Sequence, residues 1–183
     1  MTIDTLQNAD RVVAFWRAAG PEKWFAVDPD FDRRFSEEFA IDFCAAASGQ
    51  LGHWLETAEG ALALVILLDQ YPRNSFRGTL WMYATDTVAR IVADIAIEKG
   101  FDREFDGLLP LFIYVPFSHS EVLADQERAA ALCERFGEPS ISHAKRHLGI
   151  IKRFGRFPHR NPLLGRQMRP EEQDYLNAGG FAG

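Results

Sequence analysis

The chain has 183 residues, of which 47% are hydrophobic, 25% charged and 13% aromatic. That composition excludes intrinsic disorder and predicts one globular domain over residues 1–183. A net charge of −6, from 20 Lys and Arg against 26 Asp and Glu, argues against nucleic acid or an anionic membrane as partner.

The first helix is expected to start near Asn8 and to end before Gly20-Pro21, burying Val12, Phe15 and Trp16. Asp28 reads as an N-cap with Pro29 at the first helical position. The helix behind it runs to near Gly49, and Phe31, Phe35, Phe39 and Phe43 keep to one apolar stripe. Residues 61–68 are eight apolar positions in a row, which periodicity assigns equally to a buried strand or helix. No other convincing strand exists to pair with them, so they are assigned to a central helix that Pro72 limits. A helix over residues 79–99 would bury Trp81, Val88, Ile91, Val92 and Ile95. Its Asp86, Arg90 and Asp94 would form a solvated ion-pair ladder.

Residues 107–120 are uncharged, but the stretch is too short to span a bilayer and contains Pro110 and Pro116. The N-terminus lacks the basic start and apolar run of a signal peptide, so a cytoplasmic location is expected. Cys44 and Cys133 sit in helical patterns and read as buried thiols of a reducing compartment. Ser118-His-Ser-Glu121 fits a capping box that opens a helix to Phe136, with Val122, Ala129, Cys133 and Phe136 inward. A helix over residues 140–154 buries Ile141, Ala144, Leu148 and Ile151. Irregular chain follows over residues 155–170, then a short helix over residues 171–177. The expected fold is all-α, with seven or eight helices in antiparallel pairs.

Residues 139–170 hold eight basic residues and no Asp or Glu. This segment either docks on the acidic remainder of the chain or lines a site for an anion; docking is the favoured reading.

Three strings go beyond a bland helical pattern. They are Leu67-Leu-Asp-Gln-Tyr-Pro-Arg-Asn-Ser-Phe-Arg-Gly78, then Pro116-Phe-Ser-His-Ser-Glu121 with Gln126, then Arg153-Phe-Gly-Arg-Phe-Pro-His-Arg-Asn161 with Leu164-Gly-Arg166. With Trp24-Phe25 and Phe31-Asp32, the chain resembles the bacterial family called domain of unknown function 924 over about residues 10–176. The resemblance implies a compact tetratricopeptide-like α-α superhelix and implies no activity. Two positions depart from the family pattern. Gly149 stands where an acidic residue is usual, and Met168-Arg169 stand where Ser-Thr is usual, so the last helix has a poor cap in Arg169.

Asp69 follows the long apolar run and needs a partner if buried. Arg73 and Arg77 lie just beyond it, and the third string adds Arg153, Arg156 and Arg160. Such a set builds either a carboxylate–guanidinium network that pins helix ends or a pocket for an anion. His143 and His147 share a helix face, but the string is HAKRH, without the base of HExxH and in a positive neighbourhood; no metal site is expected. His119-Ser-Glu121 lacks the P-C-x-x-C partner of zinc deaminases.

Two functions follow as expectations. In the first, the chain binds an acidic small molecule or peptide through Arg73, Asn74, Arg77, Arg153, Arg156, Arg160, Asn161 and Arg166. In the second, it is an enzyme acting on a phosphorylated or carboxylate small molecule, with Asp69, His119, Glu121 and His159 as acid–base residues. No cofactor is called for. The 15 Phe and 4 Trp leave enough aromatic surface for a homodimer face.

Overall fold

The computed structural model describes residues 8–183, and among them no strand occurs. The opening segment, including the positions read against a signal peptide, lies in part outside the described residues. The chain divides into two compact units. The first comprises the described residues up to Arg77 together with Trp81–Pro116; the second comprises Gly78–Leu80 and Phe117–Gly183.

In the first unit, α1 (Ala9–Ala19) starts where Asn8 accepts from the Asp10 N–H, and α2 (Pro21–Trp24) is a single turn. Asp28 caps α3 (Pro29–Ala47), accepting from Asp30 and Phe31. Phe31, Phe35 and Phe39 are buried as their spacing requires; they pack with Phe15 and Trp16, and Trp16 in turn meets Trp24 and Phe112. Cys44 is exposed, unlike the expectation, because the apolar stripe of α3 turns away from it; Cys133 is buried.

The apolar run forms α4 (Ala58–Val65), capped by Thr57. Pro72 does not stop the helix there. The chain widens into a π-helical segment, Ile66–Gln70, and continues as α5 (Tyr71–Ser75). The Tyr71 N–H reaches back to the Ile66 carbonyl, so the proline falls in the first turn of α5, where its missing N–H costs least. Gly60 is fixed by space: a Cβ there would overlap the Trp54 carbonyl and lie 2.9 Å from Thr57 Oγ1. Alanine favours a helix by about 1 kcal/mol over glycine. Overpacking against rigid backbone costs about 1–3 kcal/mol, so Gly60→Ala is expected to lower Tm in a thermal melt.

The expected helix over residues 79–99 is shorter. Residues Leu80–Tyr83 make a 3-10 turn, and α6 is Asp86–Glu98. Its inward face is Ala89, Val92, Ala93 and Ala96, whereas Trp81, Val88 and Ile91 are exposed and Ile95 is half-buried. Small alanines permit close packing on α4, and periodicity alone had favoured the bulkier set. The uncharged stretch forms α7 (Leu111–Ser118), a helix that no expected element covered and that holds Pro116 inside it. Leu111, Phe112, Ile113, Tyr114 and Phe117 are all buried.

In the second unit, α8 (Leu123–Cys133) packs on α9 (Ser140–Phe154), and α10 (Pro170–Asn177) follows the irregular stretch. The capping box at Ser118–Glu121 does not form. Ser120 Oγ instead accepts from the Val122 N–H and bonds Asp125, and Glu121 is drawn elsewhere. Val122 is exposed because α8 begins after it. Ile150, Ile151, Phe154 and Phe157 form a core on which Tyr175 and Phe181 rest.

Candidate functional site

The first string places Asp69 inside the π-helical segment with no exposed surface. Arg73, one turn on, lies 3.3 Å from its carboxylate and donates to the Asp69 carbonyl. The same guanidinium grips Asp86 with two bonds of 2.8 and 3.1 Å. Burial pushes the Arg73 pKa down, but Asp69 and Asp86 outweigh it and hold the guanidinium above its ordinary value. Asp86, expected in a solvated ladder, is half-buried in an ion pair with Arg73. Asn74 and Arg77 both bond Asp32, at 2.8 Å and at 2.9 and 3.0 Å. These three residues line an open hollow of about 430 Å³.

The second and third strings meet in the second unit. Glu121 accepts from the Phe157 N–H at 2.7 Å and takes Arg166 in a two-point grip of 2.6 and 3.0 Å. Burial pushes the Glu121 carboxyl up, yet Arg166 and the Phe157 N–H hold it below the usual range. Arg166 Nε donates to Asn161, and Asn161 donates to Glu172. Glu172 has no exposed surface and also accepts twice from Arg156, at 2.6 and 2.8 Å. The Arg169 N–H donates to the same carboxylate, which supplies the cap that the Arg169 side chain lacks. The Arg156 hydrogen bonds come first among the causes that hold Glu172 at about 2. The basic segment thus docks on acids of its own unit, as bidentate pairs favour.

Beside this chain of ion pairs lies a cluster of a different kind. His147 from α9 and His159 from the turn Pro158–Arg160 are both half-buried. Their Nδ1 atoms are buried and make no hydrogen bond within the protein. Burial lowers the His147 pKa to about 3, helped by His119, Arg160, His159 and His143. Burial also lowers His159 to about 4. There Arg160, Arg166 and His119 work in the same direction, and Glu121 opposes them. Arg160 is buried with its guanidinium 4.5 Å from the Phe157 ring centre. Both imidazoles are neutral at pH 7, inside an electropositive neighbourhood.

The structure therefore gathers Glu121, Arg156, His159, Arg160, Asn161 and Arg166 from the expected set, with His119 close enough to act on both imidazoles. Arg153 is exposed, over the rings of Phe154 and Tyr175. Asp69, Arg73, Asn74 and Arg77 belong to the first unit and pair there. Sequence reasoning missed His147. With His143 it was weighed as a metal pair and otherwise as flanking the core stripe of α9, and it was not placed among the site residues. Among the described residues no group of three or more His, Cys, Asp or Glu is arranged to hold a metal ion. No described helix is long and apolar enough to cross a membrane.

Fold and site together define an all-helical protein whose buried Asp69 and Glu172 are matched by its own arginines. The family model for bacterial proteins of unknown function, DUF924, matches residues 12–180, and the chain belongs to this family. It is similar to a solved structure of a protein of unknown function from Agrobacterium tumefaciens. The two share 50% identity and a TM-score of 0.92, over 93% of this chain and 97% of that one. No curated protein matches the chain.

Proposed function

We propose that the protein binds an acidic small molecule or peptide at the cluster of His119, His147, His159 and Arg160. The observation that carries this reading is the pair of buried Nδ1 atoms, on His147 and His159, with no partner inside the protein. Leaving a buried polar atom unmatched costs about 1–3 kcal/mol, so two against the same pair of phenylalanines favour an external group. A carboxylate or phosphate suits the surroundings: Arg160 and Arg166 supply positive charge, and Arg166 already neutralises Glu121. Arg156, Asn161 and Arg166 then act as the frame of the site and do not touch the ligand. In this reading the ligand draws a proton onto an imidazole that is otherwise neutral.

The catalytic reading draws on the same histidines but is less well supported. Asp69 lies in an ion pair with Arg73 and Glu121 in one with Arg166, so neither is poised for proton transfer. Two free cysteines suit the reducing cytoplasm and belong to this proposal, as do tetratricopeptide-like helix pairing and a homodimer.

An anion at ten times its Kd adds roughly 1.4 kcal/mol of stability. For a chain of this size that raises Tm by roughly 3–5 °C. Phosphate, sulfate and citrate are the first panel for a thermal-shift assay. At least one is expected to raise Tm in the wild type and not in His147→Gln or His159→Gln. A panel without any shift contradicts the reading.

A further inference from the structure

The two histidines and two phenylalanines make a box of four rings. Phe157 meets His147 edge-on at 5.4 Å between ring centres and lies 5.6 Å from His159. Phe181 closes the opposite side, 4.7 Å from His147 and 5.1 Å from His159, edge-on to both. The two phenylalanines are held very differently. Phe157 is part of the buried core, fixed by the bond from its N–H to Glu121. Phe181 is half-buried and comes from irregular chain beyond α10, anchored where its N–H donates to the Tyr175 hydroxyl. The approach to it is narrow. Gly179 adopts a φ of +80°, and a Cβ on Gly180 would lie 2.5 Å from both the Tyr175 ring and the Tyr175 carbonyl. The path of the segment therefore depends on glycine at 180, and of the two walls the one Phe181 supplies is the more exposed.

We infer that Phe181 fills an aromatic subsite of this cluster, and that the natural ligand is an acid carrying an aromatic ring that takes its place. The inference rests on the acid-binding reading above and adds the ligand's second half. An aryl ring in the slot would keep the edge-on geometry that Phe181 has, since imidazole and benzene rings favour it over face-to-face stacking. The acidic group would then lie beside Nδ1 of His147 or His159. While Phe181 is in place only a fraction of molecules is open, and the apparent affinity for an aryl acid falls by that fraction. A simple anion needs no ring and is insensitive to Phe181.

The test compares inorganic phosphate, phenyl phosphate and benzyl alcohol on the wild type, Phe181→Ala and Gly180→Ala, by calorimetry and by the imidazole NMR signals of His147 and His159. Phe181→Ala deletes the occupant, and Gly180→Ala displaces it while keeping the ring; either variant that folds is sufficient. Phenyl phosphate is expected to bind about five-fold more tightly to the variants than to the wild type, with inorganic phosphate within about two-fold throughout. Benzyl alcohol, a ring without an acid, should move the two imidazole signals saturably in the variants and not in the wild type. If neither phosphate binds anywhere but benzyl alcohol behaves as stated, the acid-binding reading falls and the aromatic subsite stands. If benzyl alcohol moves the signals in no variant, or phenyl phosphate and phosphate keep one ratio in all three proteins, the subsite is overturned.

Discussion

Arg73→Met is expected to destabilise the protein by about 3–5 kcal/mol, the cost of removing one partner from a buried ion pair. Methionine keeps much of the length and apolar stem, so the loss isolates the charge. Asp69 has no exposed surface and Asp86 is half-buried, and the same guanidinium serves both. At roughly 2–4 °C per kcal/mol, Tm should fall by on the order of 10 °C. Replacing Arg77 in the same string is a far smaller change, because its pair with Asp32 is partly exposed and surface pairs contribute about 0–1 kcal/mol. Urea melts of the two variants measure the difference. Equal losses would mean that Arg73 is no more than a surface partner.

Acidification from pH 7 to pH 5 is expected to cost on the order of 3 kcal/mol, before most carboxylates titrate. The unfolded chain takes up a proton at each histidine near pH 6.5. The folded chain holds His147 to about 3 and His159 to about 4. The unfolded state therefore binds more protons between these values, and stability falls as the pH falls through that window. Well above pH 7 neither state protonates them and the curve flattens. Glu172 works in a lower window: its contribution is complete above about 4.5 and disappears as the pH drops towards about 2. Denaturant melts at each pH give the slope, which should flatten in the His147→Gln, His159→Gln double variant. A wild-type slope already flat from pH 7 to 5 would show that neither imidazole is held neutral.

Local chemistry made several elements legible in the sequence. Asp28-Pro29 announced α3, and the four-residue phenylalanine spacing announced its buried face. Ala61 to Leu68 was correctly a helix, since nothing else could pair as strand. What failed needed information from outside the segment. Glu121 satisfied a capping pattern three residues apart, yet Arg166 and the Phe157 N–H, distant in sequence, offered it a stronger set of bonds. Pro72 looked like a helix end because a π-helical turn that absorbs a proline has no sequence signature of its own. Val88 and Ile91 looked inward because they are large, but α6 packs through its alanines.

The site was half legible. Arginines in the third string were read as either ion-pair partners or anion ligands, and Arg156 and Arg166 proved to be held by Glu172 and Glu121. Nothing near Glu172 in the sequence marks it as buried, since it stands among exposed polar residues of a short helix. His147 and Phe181 were missed for the same reason: their meaning lies in each other and in His159, across 34 residues of chain.

The most direct measurement is an NMR titration of the His147 and His159 imidazoles with and without inorganic phosphate. Without it, both signals should stay at their neutral positions down to about pH 5. With saturating phosphate, at least one should titrate at a pH higher by about one unit or more, as a neighbouring anion favours the charged form. Superimposable titration curves in the two conditions would contradict the account.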